Sequence, residues 1–218
     1  MPEPHKTTKE PPPPIVFVVD DDLSMREALT DLLRSMKFDA EAFDSAATFL
    51  EKANLNRHGC LLLDVRLPGI SGLDFQMQLE RGGNRMPIIF MTGFGDIPMS
   101  VRAMKAGAVD FLTKPFNEQD ILDAVAAAVE RDASQRRESA QNEAVASLAA
   151  KLTPREREVM VAVVRGLMNK QIAYELGISE VTVKLHRGNV MRKMEARSVA
   201  DLVRKVELLD EKLRTTVS

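Results

Sequence analysis

The sequence predicts two domains: an α/β domain built on a five-stranded, doubly wound parallel sheet, and an all-α domain after it. Five short apolar runs alternate with helical patterns over residues 15–130, an order typical of parallel strands joined by helices. Beyond residue 150 the patterns are helical only. Charge divides the chain in the same way, because residues 1–150 carry 16 basic and 23 acidic side chains, whereas residues 151–218 carry 14 and 9. The length of 218 residues suits two small domains.

The composition is that of a soluble globular protein, with 44% hydrophobic and 28% charged residues. No apolar run approaches the roughly 20 residues that span a bilayer, and the first residues lack the apolar core of a signal peptide. We therefore expect a cytoplasmic protein without a membrane partner. The single cysteine, Cys60, excludes an internal disulfide, and its place at the head of an apolar strand predicts a core residue.

Residues 1–14 are polar and end in four consecutive prolines. Such a segment buries too little apolar surface to order itself, so we predict a disordered tail and assign it no function.

Strands and helices alternate from Ile15 onward. The predicted strands are apolar runs rich in β-branched and aromatic residues, at Ile15–Val19, Phe38–Phe43, Leu61–Asp64, Pro87–Met91 and Val109–Leu112. Helical periods follow them, in a segment capped by Ser24 and Glu27, then at Ala46–Ala53, Leu73–Glu80, Ser100–Ala106 and from Glu118 onward. Right-handed crossovers would leave a ligand crevice at the carboxyl ends of the strands.

The fifth helix has no obvious end in the sequence. Residues 118–148 contain neither glycine nor proline and are rich in alanine. We therefore expect this helix to continue through residues 131–150 as a connector, with a flexible linker as the alternative.

The second predicted domain covers residues 151–218. A capping box at Thr153 and Glu156, with Pro154 at the first helical position, opens it. Further helices are predicted from a cap at Asn169 to Leu176, from a cap at Ser179 to about Glu195, and at Ser198–Leu209, with Gly177 in the turn between the first two of these. A helix, a tight turn and another helix within a basic module form the helix-turn-helix arrangement of DNA-binding proteins.

The third helix of this domain has two faces. The predicted core face carries Val183, Val190 and Met194. The opposite face, which we expect to enter the major groove, carries Lys184, Gly188 and Arg192, with Val181 and Leu185 beside them. Gly188 costs a helix about 1 kcal/mol relative to alanine. It indicates either a close approach to DNA or a residue that is merely tolerated on an exposed surface.

Acidic side chains stand at the ends of two strands that a doubly wound order makes neighbours. Asp20 and Asp21 follow the first strand and Asp64 ends the third, so these carboxylates should converge. Clustered carboxylates repel one another unless a cation neutralises them, and an acidic, all-oxygen site suits Mg²⁺. Asp64 is therefore a candidate phosphoryl acceptor; alternatively, it caps the turn that follows.

Two further strand ends carry groups that can bind phosphate oxygens. Thr92 offers a hydroxyl at the end of the fourth strand, and Lys114 an ammonium at the end of the fifth. Each residue alone has an ordinary surface or turn role.

Together these residues resemble the receiver domain of bacterial two-component response regulators, over about residues 15–130. The matching motifs are Val18-Val19-Asp20-Asp21, Leu63-Asp64 with Pro68-Gly69 and Gly72, Met91-Thr92-Gly93, and Lys114-Pro115. The resemblance implies a flavodoxin-like, CheY-like fold. It also implies that Asp64 accepts a phosphoryl group from a sensor histidine kinase, so that the chain is not an enzyme beyond a slow self-dephosphorylation.

The resemblance assigns roles around Asp64. The carboxylates of Asp20, Asp21 and Asp64 and the backbone carbonyl of Arg66 would hold Mg²⁺. Thr92 and Lys114 would bind the phosphoryl oxygens, Phe111 would be the aromatic switch residue, and Lys114–Pro115 a cis peptide. Asp22 falls outside the acidic pair, which favours helix capping or solvation. A phosphorylated receiver would form a homodimer through Pro98–Ala106 and Val109–Ala127.

Residues 148–210 resemble the four-helix LuxR-type DNA-binding domain. The matching motifs are Leu152-Thr153-Pro154-Arg155-Glu156, Asn169-Lys170-Gln171-Ile172-Ala173, Thr182-Val183-Lys184-Leu185-His186 and Arg192-Lys193-Met194. By this resemblance bases lie against Lys184, Leu185 and Gly188, and phosphates or bases contact Thr182, Arg187, Asn189, Arg192 and Lys193. Gly188 stands where the family often has a longer side chain.

The whole chain is similar to FixJ/NarL-type transcriptional regulators, in their FixJ and StyR branch. Two motifs favour that branch, Gly95-Asp96-Ile97-Pro98-Met99 and His186-Arg187-Gly188-Asn189-Val190-Met191. The resemblance implies promoter DNA and RNA polymerase as partners.

Two other functions compete with this reading. A haloacid-dehalogenase-type enzyme also forms an aspartyl phosphate, but it needs a second aspartate two residues after the first, where this chain has Arg66. A relay or scaffold protein would use the last domain to bind protein instead of DNA.

Overall fold

The structure is a computed structural model that describes residues 12–93 and 97–209, with the backbone alone at residues 97–100. Most of the predicted tail, the Gly95-Asp96 part of the branch motif and the last nine residues lie outside the described residues. The chain divides between Gln135 and Arg136 into two compact units.

Five strands and five helices alternate from the start of the first unit. The strands are β1 (Ile15–Val19), β2 (Asp39–Phe43), β3 (Gly59–Asp64), β4 (Ile88–Thr92) and β5 (Asp110–Thr113). The helices are α1 (Leu23–Ser35), α2 (Ala46–Lys52), α3 (Gly72–Arg81), α4 (Ile97–Lys105) and α5 (Glu118–Ala150).

The strands form one parallel sheet in the order β2-β1-β3-β4-β5. This confirms the predicted doubly wound fold. Val19 pairs with Leu63 and Asp64 with Met91, so β1, β3 and β4 end at the same edge of the sheet. Side chains at the carboxyl ends of these strands therefore lie close together.

Helices cover both faces of the sheet, so the central strands are buried on both sides. One apolar cluster includes Phe17, Phe49, Phe75 and Phe90, and the rings of Phe49 and Phe75 meet edge to face at a centroid distance of 5.8 Å. The alternate residues of the same strands form the second cluster, with Val16, Val18, Leu62 and Ile89 among its members. The strand that ends at Asp64 is therefore packed on both faces.

Several element starts differ from the sequence prediction; α4, for example, begins at Ile97, three residues before the predicted Ser100. The predicted capping box of Ser24 and Glu27 is wrong, because Asp22 is the N-cap and its carboxylate accepts from the backbone of Ser24 at 2.8 Å. The capping role favoured for Asp22 is thereby confirmed. β3 begins at Gly59, two residues earlier than predicted, where a Cβ would lie 1.7 Å from the carbonyl oxygen of Ile15. Only glycine allows β1 and β3 to approach so closely there.

α5 runs without interruption through residues 131–150, where the sequence left a helix and a flexible linker open. In the part of the chain that is described, no helix is both long and apolar enough to cross a membrane.

The second unit adds four helices, α6 (Pro154–Val164), α7 (Asn169–Leu176), α8 (Glu180–Lys193) and α9 (Val199–Glu207). The capping box at Thr153 is present, with Thr153 Oγ1 accepting from Glu156 N and Glu156 Oε2 accepting from Thr153 N at 2.9 Å. Gly177 adopts the left-handed conformation that ends α7, as predicted.

Asn169 does not cap α7, contrary to the sequence prediction. Met168 occupies the N-cap position, and its backbone N–H donates to the side chain of Gln171 at 2.8 Å. Asn169 is the first helical residue instead, and its side-chain oxygen accepts from Arg187 on α8 at 3.1 Å. The asparagine thus ties the two helices of the turn together.

Candidate functional site

The carboxyl edge of the sheet gathers three acidic side chains. Asp20 follows β1 and Asp64 is the last residue of β3, and both are buried. Oxygen atoms of Asp20, Asp21 and Asp64 all lie within 4.8 Å of one another. The sequence-predicted acids therefore meet, as the order of the strands requires.

Lys114 lies across this acidic cluster, directly after β5. Its Nζ donates to Asp20 Oδ2 at 2.6 Å and to Asp64 Oδ2 at 2.7 Å. The backbone N–H of Lys114 donates to the carbonyl of Thr92 at 2.6 Å, which fixes the start of the loop against β4. The Lys114–Pro115 peptide is cis.

Burial and charge act in opposite directions on these groups. Burial raises the pKa of Asp20, and the hydrogen bond from Lys114 offsets only part of that rise. Burial alone would lower the pKa of Lys114, but its hydrogen bonds to Asp20 and Asp64 raise it above the ordinary lysine value. The ammonium therefore stays protonated beside the carboxylates.

Backbone groups hold the remaining carboxylate oxygens. Asp20 Oδ1 accepts from the N–H of Asp22 and Asp64 Oδ1 from the N–H of Arg66, both at 3.0 Å. Arg26 Nη1 donates to the carbonyl of Asp20 at 2.8 Å. Sequence reasoning missed this contact of Arg26, since nothing in an amphipathic helix marks one arginine as reaching back to the preceding strand.

The loop after β3 needs Gly72. A Cβ at that position would lie 2.6 Å from the carbonyl oxygen of Asp64 and 3.2 Å from the ring of Phe90. The N–H of Gly72 donates to the carbonyl of Val65 at 2.9 Å. The glycine thus lets α3 begin against the backbone of Asp64 itself.

Thr92 and Phe111 lie on the two strands beyond Asp64. Thr92 is 1% exposed, ends β4 and pairs with Thr113. Phe111 is half-buried on β5, with its ring centroid 6.5 Å from that of Phe90. The buried hydroxyl of Thr92 and the partly buried ring of Phe111 thus lie on neighbouring strands.

The donor set fits a hard divalent cation. By formal charge, three carboxylates and one ammonium amount to −2 within this small volume. Oxygen-only ligands, two of them buried, are the kind that small divalent ions prefer. The chemistry of the cluster therefore suits an ion of charge +2.

In the second unit, α8 presents two faces. Val183, Val190 and Met194 are fully buried, which confirms the predicted core face. The outer face consists of exposed residues, namely Val181, Lys184, Leu185, Gly188 and Arg192. A Cβ at Gly188 would meet nothing within 4 Å, so no contact within the protein requires this glycine.

Four of the predicted DNA contacts are already engaged within the unit. Lys193 Nζ donates to Glu156 Oε2 at 2.6 Å and to the carbonyl of Lys151 at 3.1 Å. Arg187 donates to Asn169, and Arg192 Nη2 to the side-chain oxygen of Asn189 at 3.1 Å. These hydrogen bonds orient the four side chains. Lys193 in particular binds groups at the start of α6.

Comparisons with known proteins agree with both halves of the chain. Residues 16–126 match the family of the response regulator receiver domain, and residues 150–206 match the luxR family of bacterial regulatory proteins. These matches cover the acidic cluster in the first unit and α8 in the second.

Individual relatives match over most of their length. Nodulation protein W of Bradyrhizobium diazoefficiens is 56% identical over 194 residues, which are 89% of this chain and 86% of that protein. Response regulator protein TodT of Pseudomonas putida is 48% identical over 198 residues, or 91% and 87%. A low-resolution structure of the response regulator StyR matches with a TM-score of 0.80 and 53% identity, over 89% of this chain and 98% of that one. The chain therefore belongs to the FixJ/NarL-type response regulators, which join a receiver domain to a LuxR-type DNA-binding domain.

Proposed function

We propose that this response regulator is activated by phosphorylation of Asp64 and then binds promoter DNA through α8. The contact of Lys114 Nζ with the carboxylates of Asp20 and Asp64 at the strand ends carries the proposal. This contact supports the proposal because the carboxylate oxygen that would attack lies against a positive charge that would balance the product.

The transfer is a displacement at phosphorus. A carboxylate oxygen of Asp64 attacks the phosphoryl group of a phosphohistidine on a sensor histidine kinase, the P–N bond breaks, and the imidazole leaves with that electron pair and takes up a proton. The product is an acyl phosphate on Asp64. Lys114 then pairs with the added negative charge, and the hydroxyl of Thr92 donates to a phosphoryl oxygen.

Mg²⁺ is the proposed cofactor, held by the carboxylates of Asp20, Asp21 and Asp64 and the backbone carbonyl of Arg66. When bound, it would neutralise phosphoryl charge that one ammonium cannot balance alone. The net charge of −2 in the cluster supports a divalent ion.

The output depends on a population shift. Movement of Thr92 toward the phosphoryl group would free space for Phe111, and the surface of α4, β5 and α5 would change to favour a homodimer. The half-buried position of Phe111 supports this step. RNA polymerase would be engaged by the DNA-bound dimer.

We propose no catalytic turnover beyond a slow self-dephosphorylation. A dehalogenase-type phosphatase would need a second aspartate two residues after Asp64, where an exposed arginine, Arg66, stands. Steady release of phosphate from repeated phosphorylation cycles would favour the enzyme instead.

Footprinting tests the switch. The full chain is treated with acetyl phosphate and Mg²⁺, phosphorylation is measured on phosphate-affinity gels, and protection of promoter DNA is mapped with and without treatment. We expect protection to strengthen in the wild type and in Asp44→Asn, an exposed aspartate outside the cluster. Asp64→Asn should show neither phosphorylation nor strengthening. Identical protection in all samples would refute the switch.

Truncation tests whether the regulatory output requires the second unit. A protein ending at residue 150 keeps all of α5 and the receiver. If this protein retains full regulatory activity in cells, the second unit does not act through DNA and the proposed function is wrong.

A further inference from the structure

The first unit contains a cavity of about 300 Å³ at the edge of the sheet where the strands begin. Its lining comes from α3, from the residues that lead into β4, from Gly107 after α4 and from α5. β4 begins at Ile88 beside this cavity and ends at Thr92, at the opposite edge of the sheet. The cavity is therefore separate from the acidic cluster, and its volume lies at the lower end for small-molecule sites.

Gln76 on α3 is a buried polar side chain in the lining of this cavity, with 2% of its surface exposed. Its Nε2 donates to the carbonyl of Ala106 and, at 3.3 Å, to Glu80 Oε1. These two acceptors fix which end of the amide is the nitrogen. The buried Oε1 then needs a donor of its own, and no donor among the described residues bonds to it. An unpaired buried acceptor destabilises the protein, so a ligand that supplies a donor here gains affinity.

A second amide oxygen in the same lining is in the same condition. Gln135 on α5 also lines the cavity, and its Oε1 is buried without a donor from the part of the chain that the structure describes. Two unpaired acceptors in one cavity suit a ligand group with several N–H donors. An ammonium offers three.

Three charged side chains line the same cavity. Arg85 and Arg131 are positive, Glu80 is negative, and all three are exposed. Guanidinium groups bind carboxylates through paired N–H donors, whereas Glu80 and the two amide oxygens suit an ammonium. The complement of this set of groups is a molecule with two carboxylates and one ammonium.

We propose that the cavity binds an amino dicarboxylate, the chemical class of the acidic amino acids. The ammonium of the ligand donates to the two amide oxygens beside Glu80, and its carboxylates pair with the two arginines. Leu79 and Met86 line the cavity as well and contact the short carbon chain. Binding needs no phosphoryl group on Asp64, so this inference goes beyond the proposed function and does not depend on it.

Titration of the full chain with L-glutamate and with L-aspartate, at constant ionic strength, tests the inference. The side-chain amide signals of Gln76 and Gln135 in NMR spectra report on the cavity. We expect at least one of the two amino acids to shift these signals to saturation, with a dissociation constant of about 1 mM or tighter, the affinity of a ligand of this size at ordinary ligand efficiency. Glutarate, which lacks the ammonium, should bind at least about tenfold more weakly.

Variants assign the binding to this cavity. Gln135→Leu and Arg131→Gln each remove one group of the proposed site, and each should weaken binding of the amino acid by about tenfold. Neither side chain is fully buried, so both variants should keep the thermal stability of the wild type. Gln78→Leu and Arg81→Gln are the matched controls, because both residues are exposed on α3 and do not line the cavity. The controls should keep the wild-type affinity.

Each contrary outcome overturns the inference. Amide signals that stay unchanged, or that shift without saturation, with both amino acids would mean that the cavity holds no such ligand. Equal affinity for glutarate would mean that the arginines collect anions without any recognition of an ammonium. Unchanged affinity in both Gln135→Leu and Arg131→Gln would mean that the ligand binds elsewhere on the chain.

Discussion

Lys114 Nζ lies 2.7 Å from Asp64 Oδ2, although the two residues are 50 positions apart in the chain. The same ammonium contacts Asp20 Oδ2 at 2.6 Å. It therefore occupies oxygens of two of the three carboxylates that a metal ion would use. In the proposed function, Lys114 and a divalent cation would compete for the acidic cluster until a phosphoryl group offered the lysine another partner.

Removal of this ammonium should strengthen Mg²⁺ binding. Lys114→Met frees Asp20 Oδ2 and Asp64 Oδ2 and takes away one positive charge, so we expect affinity for Mg²⁺ to rise by roughly tenfold, or about 1.4 kcal/mol. Titration calorimetry is the suitable measurement, because the chain contains no tryptophan for fluorescence. Lys52→Met, at the exposed end of α2, should leave the affinity unchanged. Equal or weaker binding by Lys114→Met would contradict the competition.

Gly72 should tolerate no side chain. In Gly72→Ala the added Cβ would meet the Asp64 carbonyl at 2.6 Å and the Val65 Cα at 3.0 Å, so the backbone beneath the acceptor must shift. We expect the free energy of unfolding to fall by about 1 to 3 kcal/mol and phosphorylation by acetyl phosphate to slow. Urea denaturation and phosphate-affinity gels measure the two effects.

Gly93→Ala provides the comparison for the first of these effects. A Cβ added at Gly93 would meet nothing within 4 Å, and the φ angle of Gly93 is not positive. If Gly72→Ala and Gly93→Ala lower the free energy of unfolding equally, the close backbone contact at Gly72 is not the reason for the loss.

Asp132 should anchor α5 to the start of β3. This buried carboxylate accepts from the N–H of Gly59 at 2.9 Å and contacts His58 Nδ1 at 2.7 Å with the same oxygen. Asp132→Ala leaves a buried backbone N–H without that acceptor, which costs roughly 1 to 3 kcal/mol. Asp132→Asn keeps an oxygen that can accept from Gly59, so its free energy of unfolding should fall by less. Urea unfolding, followed by the NMR signals of the Leu62 methyl groups in the sheet, measures the stability of both variants.

Asp123→Ala is the matched control on the same helix. Asp123 is exposed, and its carboxylate accepts a hydrogen bond from Gln119 Nε2 at 2.8 Å. We expect a change within about 0.5 kcal/mol. If Asp123→Ala loses as much stability as Asp132→Ala, the loss comes from removing a negative charge from α5 and not from removing the contact with Gly59.

The parts of the site that follow from strand periodicity could be predicted from the sequence. Asp20, Asp64 and Thr92 each stand at the end of an apolar run, and parallel pairing brings such ends together whatever the side chains between them. Side-chain contacts between residues far apart in the sequence could not be predicted, because no periodic pattern marks the residues that make them. Asp132 is one of several acids on α5, and nothing in the sequence distinguishes the one that reaches Gly59.

Lys193 shows the same limit in the second unit. A basic residue near the end of a recognition helix is typical of a phosphate contact, yet its ammonium lies 2.6 Å from Glu156 Oε2. Packing of α8 against α6 decides this, and the linear pattern of charges carries no information about it. Glu156 was predicted for its capping role alone, although the same carboxylate also holds the lysine.

The pairing of Glu156 with Lys193 should make the stability of the second unit depend on pH. Burial alone would raise the pKa of Glu156, but the hydrogen bonds from Lys193 and from Thr153 lower it below the ordinary glutamate value of 4.5. A carboxyl group with a lowered folded-state pKa stabilises fully above its unfolded value and loses that contribution as the pH falls through the folded one. Stabilisation by Glu156 is therefore complete above about pH 5 and fades below pH 4.5.

Glu156→Gln isolates this effect, because glutamine also serves at the third position of a capping box. We expect a loss of about 1 to 2 kcal/mol at neutral pH, the range for a hydrogen bond to a charged group, and a difference that shrinks toward zero as the pH falls below 4.5. Unfolding followed by the methyl signals of buried Val159 and Val163 reports on the second unit alone. Glu158→Gln, which removes a more exposed pair with Arg155, should cost less than about 0.5 kcal/mol at every pH. A constant difference between Glu156→Gln and the wild type across the titration would show that the charge of Glu156 does not contribute.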